Sequence, residues 1–87
     1  MKEQDIIDLG FEKYEVTSEE SGGESFYYYT YKFGEGDYDL SLITIGNTEV
    51  IDDEWYVDIF EYGEIKFTKR EDLEMFISLI SRNMPIG

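Results

Sequence analysis

The residues of this 87-residue chain that could do chemistry are chiefly carboxylates, and they are concentrated in its middle third. The stretch from Phe33 to Ile65 contains no Lys or Arg, and it carries ten acids: Glu35, Asp37, Asp39, Glu49, Asp52, Asp53, Glu54, Asp58, Glu61 and Glu64. Carboxylates without interleaved bases build a strong negative potential, whose natural complement is a basic protein surface. The alternative is a solvated acidic surface with no dedicated partner, which is the usual role of a charge run.

The charge of the whole chain is also far from typical. Twenty-one acids against seven bases give a formal net charge of −14, whereas a small domain usually carries a charge of magnitude ~2–8. Self-repulsion of this size opposes compactness, so a role other than stability is expected for it. Phosphates would repel such a chain, and so would an anionic membrane surface. We therefore expect a basic protein as the partner, and neither nucleic acid nor a membrane.

Aromatic side chains are interleaved with the central acids. Residues 55–60 alternate as a strand does, which places Trp55, Val57 and Ile59 on one apolar face. The other face is predicted to combine acids and aromatics: Glu54, Tyr56, Asp58, Phe60 and Tyr62. Such a surface suits Arg and Lys, through cation–π contacts and carboxylate pairing. The alternative is a second apolar layer covered by the N-terminal helix or by a second copy in a homodimer, and both interpretations stay open.

Metal binding and catalysis are weakly supported by the residue types. Asp37, Asp39 and the run 52–54 offer the oxygen ligands that Ca²⁺ and Mg²⁺ prefer, but their spacing is not that of an EF-hand. The chain has neither His nor Cys, so the commonest general base and the strongest nucleophile are missing. A carboxylate pair of the glycosidase type would need a cleft that so short a chain hardly builds. We predict no metal, no cofactor and no enzymatic activity.

The pattern of apolar residues predicts one α+β domain spanning residues 1–87. The expected elements are helical turns at 2–9, strands at 11–16, 26–33, 38–45, 55–60 and 64–67, and a helix from about Lys69 to Arg82. Residues 18–25 are predicted to form a loop, and Gly63 a tight turn. Short connections favour an antiparallel meander of four or five strands. The C-terminal helix should pack on the Trp55 face, with the short N-terminal helix at an edge or beside it.

The second strand is the most aromatic segment of the chain. Its period of two puts Tyr27, Tyr29, Tyr31 and Phe33 on one face, and Phe26, Tyr28, Thr30 and Lys32 on the other. Phe26 and Tyr28 are expected to join the outward aromatic–acidic surface. No apolar run approaches the ~18 residues of a membrane span, and the N-terminus lacks the apolar core of a signal peptide. We expect a cytoplasmic protein.

Two stretches resemble small proteins of bacteriophages and mobile elements, namely Ile7-Asp8-Leu9-Gly10-Phe11 and Ile65-Lys66-Phe67-Thr68-Lys69-Arg70-Glu71-Asp72-Leu73-Glu74. Very acidic proteins of this size in that group resemble DNA-mimicking anti-defence inhibitors, of the anti-restriction and anti-CRISPR kind. The resemblance implies a non-enzymatic inhibitor that blocks a basic, nucleic-acid-binding surface of a host defence protein in the host cytoplasm. An immunity or antitoxin protein that plugs a basic toxin nuclease is the first alternative, and an assembly protein whose acidity only solubilises it is the second. The candidate partner-binding residues are Glu35, Asp37, Asp39, Asp52, Asp53, Glu54, Tyr56, Asp58, Phe60 and Tyr62.

Overall fold

The computed structural model describes residues 1–33, 41–60 and 62–83. Within these ranges the chain forms three α-helices and five strands. In chain order they are α1 (Glu3–Asp8), β1 (Glu12–Val16), α2 (Ser18–Ser21), β2 (Phe26–Lys32), β3 (Ser41–Thr44), β4 (Val57–Ile59), β5 (Tyr62–Phe67) and α3 (Arg70–Asn83). A single turn of 3-10 helix, Asn47–Glu49, lies between β3 and β4. None of the described helices is long and apolar enough to cross a membrane.

The five strands form one antiparallel sheet in the order β1-β2-β3-β4-β5. Each strand therefore pairs with its neighbour in sequence, as short connections favour. The predicted α+β meander with a C-terminal helix and a short N-terminal helix is confirmed.

The pairing register divides the sheet into two faces, because directly paired residues place their side chains on the same side. Tyr31 pairs with Leu42, and Leu42 pairs with Ile59. This row lies on the side that we call the inner face. The next row crosses all five strands on the opposite side, the outer face, and consists of Glu12, Thr30, Ile43, Asp58 and Lys66.

The inner face carries the hydrophobic core, and α3 packs against it. Leu42 and Val57 from the sheet and Leu73 from α3 are all fully buried. The Phe76 ring, which is partly buried, lies 5.0 Å from the Phe67 ring between centroids. As predicted, Trp55, Val57 and Ile59 belong to this core, where they form one cluster with Leu42 and Leu73.

The short helix α1 also lies on the inner side. Its Ile6 is completely buried in the core that contains Leu73. The Arg70 guanidinium at the start of α3 donates to Asp5 at 2.9 Å and approaches Asp8 at 3.5 Å. These contacts tie α1 to α3, so α1 does not cover the outer face. The interpretation in which the N-terminal helix covers the outward aromatics is wrong.

The prediction for residues 18–25 needs correction. The expected loop at 18–25 begins with α2, because the Thr17 hydroxyl accepts the Glu20 backbone N–H at 3.3 Å and caps the turn. Gly22 ends that turn with a φ of 76°, a conformation that glycine adopts without strain. The predicted third strand at 38–45 is described only as Ser41–Thr44, since residues 34–40 lie outside the described ranges.

The central strand is shorter than predicted, and the turn after it comes earlier. β4 contains only Val57–Ile59, and β5 already begins at Tyr62, so Gly63 lies inside a strand. Asp58 pairs with Lys66, yet the next residue, Ile59, pairs with Tyr62. This register shift is a bulge that places extra residues in β5. Tyr62 consequently does not share a strand with Tyr56 and Asp58, and the single alternating face predicted for residues 54–62 is wrong beyond Asp58.

Candidate protein-binding surface

The predicted partner-binding residues separate into several places in the fold. Glu35, Asp37 and Asp39 lie outside the described residues. Asp52 and Asp53 are exposed, and they form the turn between Ile51 and Glu54, which pair across an isolated bridge. Both turn residues have a positive φ, 55° and 60°, which is the conformation of a tight hairpin turn. Asp tolerates it better than most residues do, which accounts for the Asp-Asp pair at this point of the sequence.

The carboxylate of Glu54 is engaged within the protein. Its Oε2 accepts the Met1 amino group at 3.2 Å, and its Oε1 accepts the Lys2 ammonium at 3.3 Å. Hydrogen bonds from these two cations hold the pKa of the Glu54 carboxyl below its usual range. The Met1 amino group also donates to the Trp55 carbonyl at 3.2 Å and to the Thr68 carbonyl at 2.9 Å. Glu54 therefore helps to hold the N-terminus between the segment that precedes β4 and the residues that precede α3.

Tyr56 and Asp58 lie together on the outer face, where the structure forms an open concavity of about 470 Å³. Its principal lining residues come from β2, β3, the 3-10 turn and the β4 segment: Phe26, Tyr28, Ile43, Glu49, Tyr56 and Asp58. We refer to this feature as the outer concavity. Most of the lining side chains are half-buried, and Glu49 is exposed. The predicted association of Phe26 and Tyr28 with Tyr56 and Asp58 is therefore present in the fold.

The aromatic rings around the outer concavity support one another. The Phe26 and Tyr28 rings lie 6.4 Å apart between centroids, and Tyr14 of β1 stacks on Tyr28 at 6.0 Å. Aromatic pairs at this separation contribute stabilisation beyond that of the apolar area that they bury. On the other wall, the Lys66 ammonium lies 4.8 Å from the centre of the Tyr56 ring. The Tyr56 ring thus already holds one cation from its own chain.

Asp58, unlike the exposed Glu49, has a carboxyl that is partly buried in the sheet. Its Oδ1 atom is buried and makes no hydrogen bond within the described residues. Burial raises the pKa of the Asp58 carboxyl, and the nearby charge of Lys66 opposes this shift. Although Lys66 pairs with Asp58 in the sheet, its ammonium rests on Tyr56 and forms no ion pair with Asp58. Asp58, which lines the outer concavity, therefore has an acceptor atom without a donor among the described residues.

Phe60 and Tyr62 are exposed, by 49% and 64% of their surfaces, but they are not among the lining residues of the outer concavity. They flank the connection between β4 and β5. Ile43 and Glu49 are lining residues that were not among the candidates. The outward position of Ile43 follows from its pairing with Asp58, which the sequence pattern of β3 alone does not reveal.

Within the described part of the chain, no group of three acids is arranged to hold a metal ion. No protein-family model, no curated protein and no solved structure matches the chain.

Proposed function

We propose that this protein is a non-enzymatic inhibitor that occupies a basic, nucleic-acid-binding surface of another protein, in the manner of an anti-defence protein of a phage. The observation that carries the proposal is the excess of negative charge, −14 in 87 residues. A nucleic-acid-binding surface is selected for attraction to phosphates, and a protein that presents carboxylates competes for the same positive potential.

The folded structure supports this proposal by the way in which it distributes its ion pairs. Salt bridges of the described residues involve five acids: Asp5, Asp8, Glu15, Glu54 and Glu74. Most acids of the described ranges are left without a cationic partner. The bases are more fully engaged, since Lys2, Lys13 and Arg70 form salt bridges and Lys66 lies on the Tyr56 ring. Internal pairing thus removes positive charge from the surface more completely than negative charge.

The test compares two charge-reversed proteins that carry the same net charge. One has Glu12, Glu49 and Glu64 changed to Lys, all of them exposed. Glu12 lies on the outer face, Glu49 lines the outer concavity and Glu64 lies in β5; we call this protein the outer-face variant. The control has Glu19, Glu24 and Asp72 changed to Lys, which are exposed residues of α2, the following loop and α3. Glu54 is kept in both because its carboxylate fastens Met1.

Each protein is immobilised, and bacterial lysate is passed over it at low and at high salt. We expect the unaltered protein and the control to retain the same basic nucleic-acid-binding protein at low salt and to release it at high salt. The outer-face variant should fail to retain it. The purified partner's nucleic acid should then displace the inhibitor in a competition assay.

Two results would contradict the proposal. Equal loss of binding by the two variants would mean that only the total charge matters, as for a protein whose acidity serves solubility. Simultaneous binding of the partner to its nucleic acid and to this protein would mean that the two do not share a surface.

A further inference from the structure

The outer concavity differs from the rest of the acidic surface in its geometry. It combines an unpaired carboxylate oxygen, a set of aromatic rings and a volume of about 470 Å³, which lies within the ~300–1,000 Å³ range of ligand sites. We propose that the outer concavity binds a single arginine side chain of the basic partner, with its guanidinium donating to Asp58 and lying against the Tyr56 ring. The inference rests on the proposed function, because it presupposes a basic protein as the partner.

Charge complementarity selects a cation as the occupant. Asp58 and Glu49 are the two acids that line the concavity, and Lys66 is the base that stands next to them. Asp58 lines the concavity and its Oδ1 has no donor within the described residues, so a guanidinium that reaches the carboxylate gains a charge-assisted hydrogen bond without displacing a partner of that atom. A second copy of this chain is disfavoured as the occupant, since each copy carries a net charge of −14.

The aromatic walls favour arginine over lysine. A guanidinium is planar, is less strongly hydrated than an ammonium, and stacks on an aromatic ring while its N–H groups bind a carboxylate. The Tyr56 ring and Asp58 are two residues apart on the same face of the sheet, which places ring and carboxylate side by side. Lys66 already demonstrates that the Tyr56 ring accepts a cation, at 4.8 Å from its centre. Lys66 is then a competitor that the arginine displaces from the Tyr56 ring.

The 87-residue protein is titrated with N-acetyl-arginine methylamide and followed by carbon-13 NMR of the Asp58 carboxyl and the tyrosine rings. The citrulline analogue, which has the same shape without the charge, is the control ligand. We expect saturable shifts at Asp58, Tyr28 and Tyr56 with arginine and none with citrulline. A single side chain should bind with a dissociation constant on the order of 1 mM.

Three variants sharpen the test. Asp58→Asn should weaken arginine binding by about 10- to 100-fold, as expected for loss of a hydrogen bond to a charged group. Asp53→Asn makes the same chemical change in the exposed hairpin turn and should leave the affinity within about twofold. Lys66→Gln should strengthen binding, since it removes the competing cation from the Tyr56 ring.

The inference is overturned if Asp58→Asn and Asp53→Asn bind arginine equally, if citrulline gives the same shifts, or if Lys66→Gln weakens binding. Self-association through the outer face, detected by sedimentation and abolished by Tyr28→Ser, would assign the concavity to a second copy and would also overturn it. The outcomes separate the two proposals. Retention of the lysate protein by Asp58→Asn with undiminished affinity would refute the arginine site while leaving the proposed function intact. If the outer-face variant loses the lysate partner and Asp58→Asn keeps it, the arginine site is likewise refuted and the proposed function stands.

Discussion

Changing Asp58 to Asn should make the protein more stable, although it removes an acid from the proposed binding surface. Asp58 Oδ1 is buried without a hydrogen-bond donor among the described residues, and burial raises the pKa of the carboxyl. A carboxyl with a raised pKa binds protons more tightly in the folded state than in the unfolded chain. Its charged form therefore lowers stability at pH values above the folded-state pKa. This cost disappears as the pH falls below the unfolded-state pKa, near ~3.9.

The size of the effect follows from the surroundings of the side chain. An unsatisfied buried polar group costs ~1–3 kcal/mol, and a charged one costs more. Asp58→Asn keeps a polar oxygen at this position and removes only the additional cost of the charge. Asp58 as a whole is half-buried, and the Lys66 charge relieves part of the penalty, so the lower end of this range applies. We expect Asp58→Asn to raise the free energy of unfolding at pH 7 by about 1 kcal/mol, which corresponds to an increase of about 4–8 °C in Tm for a domain of this size.

Urea denaturation followed by circular dichroism measures this difference in a series of buffers from pH 7 down to the lowest pH at which both proteins fold. The stability advantage of the variant should shrink as the pH falls, because Asp58 becomes neutral in the unaltered protein. Asp53→Asn is the control, since that carboxylate is exposed and its substitution should change stability by less than about 0.5 kcal/mol. A variant that is less stable than the unaltered protein at pH 7 would show that Asp58 has a donor in solution, with Lys66 as the first candidate.

Four further expectations concern the core, the ion pairs and metal binding. In the same urea assay, Leu73→Ala should reduce the free energy of unfolding by about 2–5 kcal/mol, because Leu73 is fully buried. Phe76 is only partly buried, so Phe76→Ala should cost less than the ~3–5 kcal/mol of a fully buried ring. Arg70→Gln should raise the pKa of Asp5. A hydrogen bond from the Lys2 backbone lowers this pKa most, and the Arg70 guanidinium lowers it further. An unchanged Asp5 pKa in a carbon-13 NMR titration of the variant would contradict this expectation. Asp5 and Glu54 have lowered pKa values, so their contribution to stability is present above the ordinary carboxyl pKa of about 4 and is lost in more acidic solution. EDTA should change neither stability nor partner binding, and a saturable micromolar calcium site at Asp52 would refute that expectation.

The sequence predicted the elements whose signals are local. The period of two in β2 separated Tyr29, which is buried, from Tyr28, which lies on the outer face. The helical spacing of Leu73, Phe76 and Ile80 placed α3 correctly to within one residue at each end. These patterns depend on residues a few positions apart, and the fold does not override them.

Features that depend on distant pairs escaped the sequence analysis. The bulge between β4 and β5 changes the register from Asp58–Lys66 to Ile59–Tyr62. Gly63 in β5 is a residue type that often marks a bulge, but it was predicted to form a tight turn. Arg70 helps to hold α1 in place, and it lies more than 60 residues away from Asp5 along the chain. Glu54 was expected to face a partner, yet the Met1 amino group, 53 residues away, occupies its carboxylate. In each case the feature depends on a contact between residues that no local pattern relates.

The acidic charge and the outer concavity should therefore contribute to different steps of binding. Long-range attraction is screened over ~8 Å at physiological ionic strength and acts mainly on the encounter of the two proteins. The outer-face variant at Glu12, Glu49 and Glu64 should slow association and flatten its dependence on salt. A buried contact forms after the encounter, so Asp58→Asn and Tyr56→Ala should chiefly speed dissociation. Surface plasmon resonance with the purified partner separates the two rates, and a variant of Asp58 that changes only association would assign the carboxylate to steering instead of anchoring.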